Sequence, residues 1–216
     1  MQEFLAKIPP YDLLDARGLQ ALENIATRRM YKKNRVIIRQ GDDTNNMFIL
    51  LQGQMRVYVE DEHGKQLIVR ILKPGDSFGE VALVGEFPRT ASVETVTDCT
   101  VATFSRANYL AYLRDYPEIA LALAKTLANM VRDTTEELSS IALSDVYGRI
   151  AHILNKYADE QDGEKRVPRF THREIAGMIG SSREMVSKVL KELEKSEYIS
   201  VDARHYVINR PLPDAW

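Results

Sequence analysis

An α+β fold is predicted for this chain by three patterns in its sequence. Short apolar segments alternate with turn residues from Arg35 to Phe104, and a helical pattern without glycine or proline runs from Glu118 to about Leu143. Two closely spaced helix starts and a hairpin pattern complete the C-terminal part. These patterns are typical of a β-roll or jelly-roll barrel, a long helix and a winged helix-turn-helix. We therefore expect an N-terminal domain at 1–117, the long helix at 118–143 and a C-terminal domain at 144–216.

Length and composition favour a soluble globular protein of two modest domains. The chain has 216 residues, of which 44% are hydrophobic and 28% are charged. Because no stretch has the length of a membrane-spanning helix and residues 1–10 lack the regions of a secretion signal, we expect a cytoplasmic protein without a membrane partner. The net charge of −2 gives no global sign of nucleic-acid binding, so any such interpretation depends on local pattern.

Metal and haem sites are not expected. The single cysteine, Cys99, cannot supply a thiolate cluster and lies in a β-pattern, where a lone cysteine is usually part of the core. The four histidines are scattered without ligand spacing; they are His63, His152, His172 and His205. We also find no segment with a nucleophile and its base, paired acids or a metal triad, so we do not expect an enzyme.

Glycines mark the corners of the predicted roll. They recur between apolar segments such as 47–51, 55–59 and 66–72, and they are Gly41, Gly53, Gly64 and Gly75. Glycine adopts the backbone conformations that sharp turns require, so this spacing predicts short strands joined by tight corners. Ahead of the roll, helical spacing from Leu13 to Met30 predicts a short helix or two.

The long helical pattern admits two interpretations. Written as heptads, one seam position contains Ala120, Leu127, Thr134 and Ile141, and the other contains Leu123 and Met130. Such a seam is typical of a helix that pairs with its twin in a homodimer. The alternative is a helix that packs on its own β-domain, and the pattern alone leaves both interpretations open.

Two capping patterns predict a helix-turn-helix. Thr171 with Glu174, and Ser181 with Glu184, have the spacing of a capping box, in which a hydroxyl and a glutamate bind the free amides of a helix start. Because the two starts are close together, the first helix can have only about two turns and must end at Gly180. This is the layout of a helix-turn-helix.

Further elements are expected on both sides of this motif. The sequence predicts a helix at Val146–Ala158 and a polar loop at Asp159–Arg166 before it. The second helix of the motif is expected to end at about Lys195. Strand patterns at 198–201 and 206–208 then predict a small hairpin, the wing.

The segment FGEVALVGEFPRTA at 78–91 predicts a binding site for an anionic ligand. A turn near Gly79 can offer backbone amides to an anionic oxygen, Arg89 can add a bidentate contact and Thr90 a hydroxyl donor. Glu80 can accept a hydrogen bond from a ribose hydroxyl. The alternative is an ordinary ion pair between Glu80 and Arg89. The segment closely resembles the phosphate-binding cassette of cyclic-nucleotide-binding domains.

From the roll to the wing, the chain resembles the cyclic-AMP receptor protein and fumarate-and-nitrate regulator (Crp/Fnr) family of bacterial transcription regulators. The resemblance implies a homodimer with cyclic AMP as effector, in which Thr134 contacts the base in its own subunit and Thr135 contacts the nucleotide in the partner. A solvated helical face is the alternative for these two threonines. The resemblance also implies a hinge at the segment DVYGRI, residues 145–150, which has two arrangements. Regulators of this fold that respond to cyclic di-GMP, or to no nucleotide, share the cassette, so the effector stays open.

The same resemblance assigns DNA reading to the second helix of the motif. Arg183 can donate to guanine O6 and N7 and Glu184 can accept from cytosine N4, which implies an inverted repeat of TGTGA-like half-sites. Ser182 and Lys188 lie on the same two turns, and the lysine stands where close family members carry arginine, so one base position is expected to be more permissive. The alternatives are a capping role for Glu184 and solvation or a phosphate contact for Lys188.

The first helix of the motif is expected to bind the DNA backbone. Thr171 and Arg173 lie at its start, where they can hold phosphates. The resemblance implies double-stranded DNA and RNA polymerase as partners. A signalling module that binds nucleotide but no DNA is the rival interpretation, and the complete helix-turn-helix with Arg183 argues against it.

Overall fold

The chain forms two compact units, Met1–Val131 and Arg132–Trp216. The computed structural model describes residues 1–161 and 163–212. The division falls within the long helix α5, Pro117–Leu143, whose bounds confirm the predicted helix to within one residue.

Unit 1 consists of short helical segments followed by a β-roll. The N-terminal segments are α1 at Gln2–Leu5, a 3-10 turn at Tyr11–Leu13 and α2 at Ala16–Asn24. The strands are β1 at Thr27–Tyr31, β2 at Val36–Ile38, β3 at Met47–Gln52, β4 at Met55–Glu60, β5 at Gln66–Leu72, β6 at Ser77–Phe78, β7 at Ser92–Thr95 and β8 at Cys99–Phe104. Helix α3, Glu80–Gly85, follows β6, and helix α4, Arg106–Asp115, follows β8.

Two antiparallel four-stranded sheets make the roll, with strand orders β1-β8-β3-β6 and β2-β7-β4-β5. Side chains of both sheets meet in one apolar cluster, which includes Phe48, Phe78 and Val93. Met47 and Ile49 belong to a second cluster, with the N-terminal helices and α4. Because successive side chains of a strand point to opposite faces, β3 is buried on both sides and supports the two clusters at once.

The roll begins with a strand that the sequence pattern does not reveal. The apolar segments predict a start at Arg35, but β1 already pairs with β8 over Thr27–Tyr31. Four of its five residues are exposed and none is buried, and it lies at the edge of its sheet. A charged edge strand needs no apolar alternation, which explains why the prediction was wrong here.

Unit 2 combines helices with a second antiparallel sheet. The helices that follow α5 are α6 at Val146–Lys156, α7 at His172–Ile179 and α8 at Arg183–Lys195. The strands are β9 at Asp159–Gln161, β10 at Glu164–Pro168, β11 at Ile199–Val201 and β12 at His205–Ile208, in the order β11-β12-β10-β9. The predicted helix-turn-helix and its wing are confirmed.

The predicted polar loop at Asp159–Arg166 was wrong. Residues 159–161 form β9 and residues 164–166 belong to β10; these two strands pair, and β10 also pairs with β12 of the wing. Val167 is buried, whereas Glu164 and Lys165 are exposed. A polar strand of this kind is held by backbone hydrogen bonds to the neighbouring strands, so its own sequence gives little indication that it is a strand.

Candidate functional site

The cassette is built around a left-handed glycine. Gly79 has φ 86° and caps the start of α3, immediately after β6. A Cβ atom at this position would lie 2.8 Å from Nη1 of Arg89 and 2.8 Å from the carbonyl oxygen of Asn46. Both the backbone conformation and the close approach of these groups therefore require glycine.

Arg89 is buried and held in one orientation. Its side chain donates from Nε to Oγ1 of Thr44 at 2.9 Å, from Nη1 to the carbonyl of Gly79 at 3.0 Å and from Nη2 to the carbonyl of Asn46 at 2.7 Å. The guanidinium also lies 5.9 Å from the ring centroid of Phe48. Since these bonds use three of its five N–H donors and all run to neutral oxygens, donors remain for an anionic ligand oxygen.

Glu80 presents a buried carboxylate oxygen to the same region. The residue is 2% exposed, and its Oε2 has no hydrogen-bond partner in the part of the chain that the structure describes. Burial raises the pKa of this carboxyl, while its own backbone hydrogen bond and the charges of Arg70 and Arg89 act in the opposite direction. Buried polar atoms are nearly always hydrogen-bonded, so Oε2 is well suited to accept a bond from a ligand hydroxyl.

Burial also affects Arg89 itself. It lowers the pKa of the guanidinium, and the negative charges of Glu80 and Asp42 counteract that effect. The arginine and the carboxylate are thus electrostatically coupled. The hydrogen bonds of Arg89 nevertheless run to Thr44, Gly79 and Asn46, so the arrangement is more than the loop-spanning ion pair considered as an alternative. Thr90, next in sequence, is exposed.

Thr134 and Thr135 lie on α5 and are exposed. Thr135 belongs to a stripe of exposed side chains spaced alternately by three and four residues. We call it the α5 stripe; it consists of Leu121, Ala124, Ala128, Val131, Thr135 and Leu138. Leu121, Val131 and Leu138 are 61%, 68% and 65% exposed, which is unusual for large apolar side chains that share one face of a helix.

The α5 stripe differs from the heptad seam that the sequence predicts, and one residue of that seam is buried. Leu123, assigned to that seam, is 8% exposed, and Ile119 one turn earlier lies in the second apolar cluster of unit 1. Leu123 is therefore covered within the chain and is not available to a twin, whereas Thr134 and Ile141 of the predicted seam are exposed. One face of the helix therefore packs on its own domain, and another carries the six exposed residues of the α5 stripe.

The helix-turn-helix begins with the predicted capping box. The amide of Glu174 donates to Oγ1 of Thr171 at 3.2 Å, and the amide of Thr171 donates to Oε2 of Glu174 at 2.7 Å. Helix α7 ends at Gly180, which has φ 64°. On this helix Arg173 is exposed while Ile175 is buried, so Arg173 points to solvent from the first turn.

The second capping assignment was wrong by one residue. The N-cap of α8 is Ser182, whose Oγ accepts from the amide of Met185 at 3.2 Å. A backbone hydrogen bond and the hydroxyl of Ser182 lower the pKa of Glu184. Neighbouring serines have the same capping chemistry, but the amide of Ser181 donates to the carbonyl of Ala176 at 3.0 Å and so belongs to the end of α7, which leaves Ser182 to cap α8.

Helix α8 separates a buried face from a charged one. Val186, Leu190 and Leu193 are buried, whereas the side chains predicted to read DNA are exposed: Ser182, Arg183, Glu184 and Lys188. The four lie within the first two turns of the helix. The structure therefore brings the predicted base-reading residues together on one solvent-facing surface.

Four contributors to these sites were missed from the sequence. Thr44 and Asn46 hold Arg89 from a loop more than forty positions away, and one of them acts through its carbonyl, which any residue could supply. Arg149 donates from Nη1 to the carbonyl of Ile179 and so connects α6 to the end of α7. Arg70, whose charge affects the pKa of Glu80, could have been noticed in the sequence, because it is a charged residue within the apolar strand QLIVRIL.

The hinge segment starts with a capped helix. The side chain of Asp145 accepts from the amide of Gly148 at 2.8 Å and caps α6, which Ser144 and Asp145 separate from α5. Among the described residues, no group of three or more histidine, cysteine, aspartate and glutamate side chains could hold a metal ion. No helix in residues 1–161 and 163–212 is both long and apolar enough to cross a membrane.

Comparisons with known proteins match both units. The family described as "Cyclic nucleotide-binding domain" matches residues 28–116, and the family "Crp-like helix-turn-helix domain" matches residues 148–211. The cAMP-activated global transcriptional regulator Vfr of Pseudomonas aeruginosa is 32% identical over 189 residues, which are 84% of this chain and 88% of that protein. The cAMP-activated global transcriptional regulator CRP of Salmonella typhimurium is 31% identical over 183 residues, which are 82% of this chain and 87% of that protein.

Solved structures give the same result. The c-di-GMP-responsive global regulator CLP of Xanthomonas campestris has a TM-score of 0.76 and 25% identity, covering 90% of this chain and 99% of that one. The buried cassette and the exposed reading helix, together with these matches, define a ligand-responsive, DNA-binding transcription regulator. The chain belongs to the Crp/Fnr family, as its sequence pattern predicts.

Proposed function

We propose that this regulator is activated by cyclic AMP and binds, as a homodimer, an inverted repeat of TGTGA-like half-sites. The observation that carries the effector part is the buried Oε2 of Glu80, which has no hydrogen-bond partner among the described residues, together with the oriented guanidinium of Arg89, which interacts with Glu80 electrostatically. A cyclic nucleotide matches both groups, because its ribose hydroxyl can donate to Oε2 and its phosphate can accept from Arg89. Thr90 adds a hydroxyl donor to the same phosphate, and the turn at Gly79 brings the backbone close to it.

Adenine recognition is assigned to Thr134 and Thr135. Their hydroxyls can accept from the exocyclic amine of adenine, and Vfr and CRP, the relatives described above, are named as cAMP-activated regulators. In this proposal Thr134 acts within its own subunit and Thr135 reaches the nucleotide of the partner. Ligand binding and dimer formation then depend on each other.

The α5 stripe supports the homodimer. Its three-and-four spacing is that of a coiled-coil seam, and its Ala124 and Ala128 allow a second helix to approach closely. Burial of Leu121, Val131 and Leu138 against the same residues of a twin would remove three large apolar side chains from water. Thr135 lies on this stripe, as a residue that serves the partner subunit should.

DNA binding is assigned to the exposed start of α8. Arg183 and Glu184 would read guanine and cytosine, with Ser182 and Lys188 beside them. Thr171 and Arg173 would hold phosphates from α7 and fix the protein on the duplex. RNA polymerase is the further partner that this proposal implies, and the cytoplasm is the compartment.

A nucleotide that binds one arrangement of the hinge better than the other shifts the two reading helices toward the DNA-binding state. A ligand can change such an equilibrium only through this differential affinity. We therefore expect DNA affinity to rise with cyclic AMP, and the affinity for cyclic AMP to rise with DNA by the same factor.

Calorimetric titration tests the effector. The purified protein is titrated with cyclic AMP and cyclic di-GMP, and Arg89→Ala serves as the site variant. We expect binding of cyclic AMP, weakened about tenfold to a hundredfold in Arg89→Ala because one charged contact is lost, with the dimer intact. Binding of cyclic di-GMP instead would favour the second candidate, which the similarity to the c-di-GMP-responsive regulator supports. An unchanged affinity in Arg89→Ala would contradict its assigned contact with the phosphate.

A gel-shift assay tests the DNA part. Duplexes with the TGTGA-like inverted repeat are compared with random duplexes, each with and without cyclic AMP. We expect tight binding of the repeat only with the nucleotide. A protein that binds the nucleotide but neither duplex would be the signalling module considered as the rival.

A further inference from the structure

A second guanidinium faces the interior of the roll. Arg70 lies on β5 opposite Val57 of β4, and Val57 in turn lies opposite Val93 of β7. Directly opposed residues in an antiparallel sheet point to the same face. Val93 belongs to the apolar cluster of Phe48 and Phe78, so the side chain of Arg70 points toward the face on which that cluster and the cassette lie.

The position of Arg70 is fixed by the turn that leads into the cassette. Its Nη2 lies 3.2 Å from Oδ1 of Asp76, whose other oxygen accepts from the amide of Lys73 at 2.8 Å. Asp76 precedes Glu80 by one short strand. Burial raises the pKa of Glu80 and the charge of Arg70 opposes this, which shows that the guanidinium is within electrostatic reach of the carboxylate.

The ion pair with Asp76 does not by itself account for an arginine at position 70. Arg70 and Asp76 are 34% and 32% exposed, and a pair so accessible to solvent contributes little to stability. A single bond to Asp76 also leaves further N–H donors of Arg70 for another acceptor. Arg70 is a charged side chain on the interior face of β5, where Leu72, two positions further on, is apolar and fully buried.

We propose that Arg70 contacts the purine base of the effector and gives the pocket affinity for guanine-type cyclic nucleotides as well as for cyclic AMP. The inference rests on the proposed function, in which Glu80 binds the ribose. The base is attached to the ribose carbon next to the one that carries the 2′-hydroxyl, so a group close to Glu80 is also close to the base. Guanine presents two adjacent acceptors, O6 and N7, which match the fork of a guanidinium, whereas adenine presents N7 beside an amine donor.

Calorimetry with three nucleotides tests this proposal. Cyclic AMP, cyclic GMP and cyclic inosine monophosphate are titrated into the wild type, Arg70→Ala and Arg70→Lys. We expect all three nucleotides to bind the wild type. Arg70→Ala should weaken cyclic GMP and cyclic inosine monophosphate at least about tenfold and cyclic AMP less than about threefold, because only the first two accept the full fork. The affinities of Arg70→Lys for cyclic GMP and cyclic inosine monophosphate should lie between those of the wild type and those of Arg70→Ala, since lysine keeps the charge but lacks the fork.

Two further variants separate base contact from structural support. Arg56→Ala is the matched control: Arg56 lies one position from Val57 on β4, so it faces the other side of the sheet, and its ion pair with Glu94 measures 2.6 Å. It should leave all three affinities unchanged. Asp76→Asn removes the negative partner of Arg70 but keeps the guanidinium, so it should retain the binding of cyclic GMP.

Three results would overturn the inference. The first is a wild type that binds cyclic AMP but not cyclic GMP, which leaves the proposed function intact. The second is an equal loss of affinity for all three nucleotides in both Arg70→Ala and Asp76→Asn, which would show that the ion pair of Arg70 and Asp76 only supports the structure. The third is a wild type that binds none of the three nucleotides, which refutes the proposed effector and this inference together.

Discussion

The guanidinium of Arg149 donates from Nη1 to the carbonyl oxygen of Ile179 at 3.0 Å. Ile179 is the last residue of α7, and the final carbonyls of a helix lack partners within the helix. Arg149 belongs to α6, in the segment expected to act as the hinge. A cation at this position also interacts favourably with the negative end of the helix dipole. The side chain of Arg149 therefore connects the hinge segment to the end of the first helix of the DNA-binding motif.

Replacement of Arg149 should destabilise the protein. We expect Arg149→Ala to lower the free energy of unfolding by about 1.5–3 kcal/mol, the usual contribution of a hydrogen bond to a charged group. Urea unfolding of the full chain measures this effect. Arg173→Ala, an exposed arginine on α7, is the control and should change stability by less than about 0.5 kcal/mol. Equal effects of the two substitutions would mean that the contact with Ile179 contributes nothing specific.

The buried carboxyl of Glu80 should make stability depend on pH. Burial raises its folded-state pKa above the ordinary value of 4.5, so its stabilising contribution is present below that value and is lost as the pH rises through the folded pKa. Glu80→Gln should therefore melt at a higher temperature than the wild type at pH 7 to 8, with a difference that shrinks as the pH approaches 4.5. Thermal unfolding of the ligand-free proteins across this range checks the prediction. A difference independent of pH would show that the ionisation of Glu80 is not its cause.

Much of the cassette could be predicted because its parts are close in sequence. Gly79, Glu80 and Arg89 fall within one segment, so a single pattern contains the turn, the acceptor and the donor. The groups that orient Arg89 could not be predicted, since Thr44 and Asn46 approach it only when the roll closes. Contacts of this kind depend on tertiary packing and leave no periodic trace in the sequence.

The sequence pattern also could not predict which face of α5 is exposed. Apolar residues occur on several sides of this helix, so more than one heptad register can be written. Packing of Ile119 and Leu123 within the chain decides which side is covered, and Val131 and Leu138 remain on the other. The two helix starts of unit 2 were predictable to within one residue because capping is a local interaction.

Base selectivity should depend on the two threonines of α5. We expect Thr134→Ala combined with Thr135→Ala to weaken cyclic AMP more than cyclic inosine monophosphate, because only adenine has the exocyclic amine that a hydroxyl can accept from. Calorimetric titration with both nucleotides gives the two affinities. Equal losses would assign the threonines to helix packing and leave the recognition of adenine to other residues.

Sequence readout should depend on Arg183. We expect Arg183→Ala to cost about 1–3 kcal/mol on the preferred site and to change the affinity for unrelated DNA very little, since a base contact is lost while phosphate contacts remain. Arg173→Ala should do the opposite and weaken all duplexes, with a smaller dependence on salt. Binding titrations on specific and random duplexes at two salt concentrations distinguish these effects. If Arg183→Ala weakens all sequences alike, α8 does not read bases through this residue.

Half-site spacing should follow from the two-fold dimer. The two reading helices of a dimer are expected to sit about 34–36 Å apart, one turn of DNA. Insertion of about five base pairs between the half-sites should therefore abolish tight binding, and insertion of about ten should restore part of it on flexible DNA. Selection from random DNA that yields a single asymmetric site would contradict the dimer as the binding unit.

The left-handed Gly79 has a consequence for genetics. Every single-base change in a glycine codon that encodes a different amino acid adds a Cβ atom, and here that atom would meet both Arg89 and the backbone of Asn46. No amino-acid substitution of Gly79 that arises from a single-base change is therefore conservative. In a screen for alleles that have lost the response to effector while the protein still accumulates, this codon should recur more often than its share of the gene, through changes of either of its first two bases.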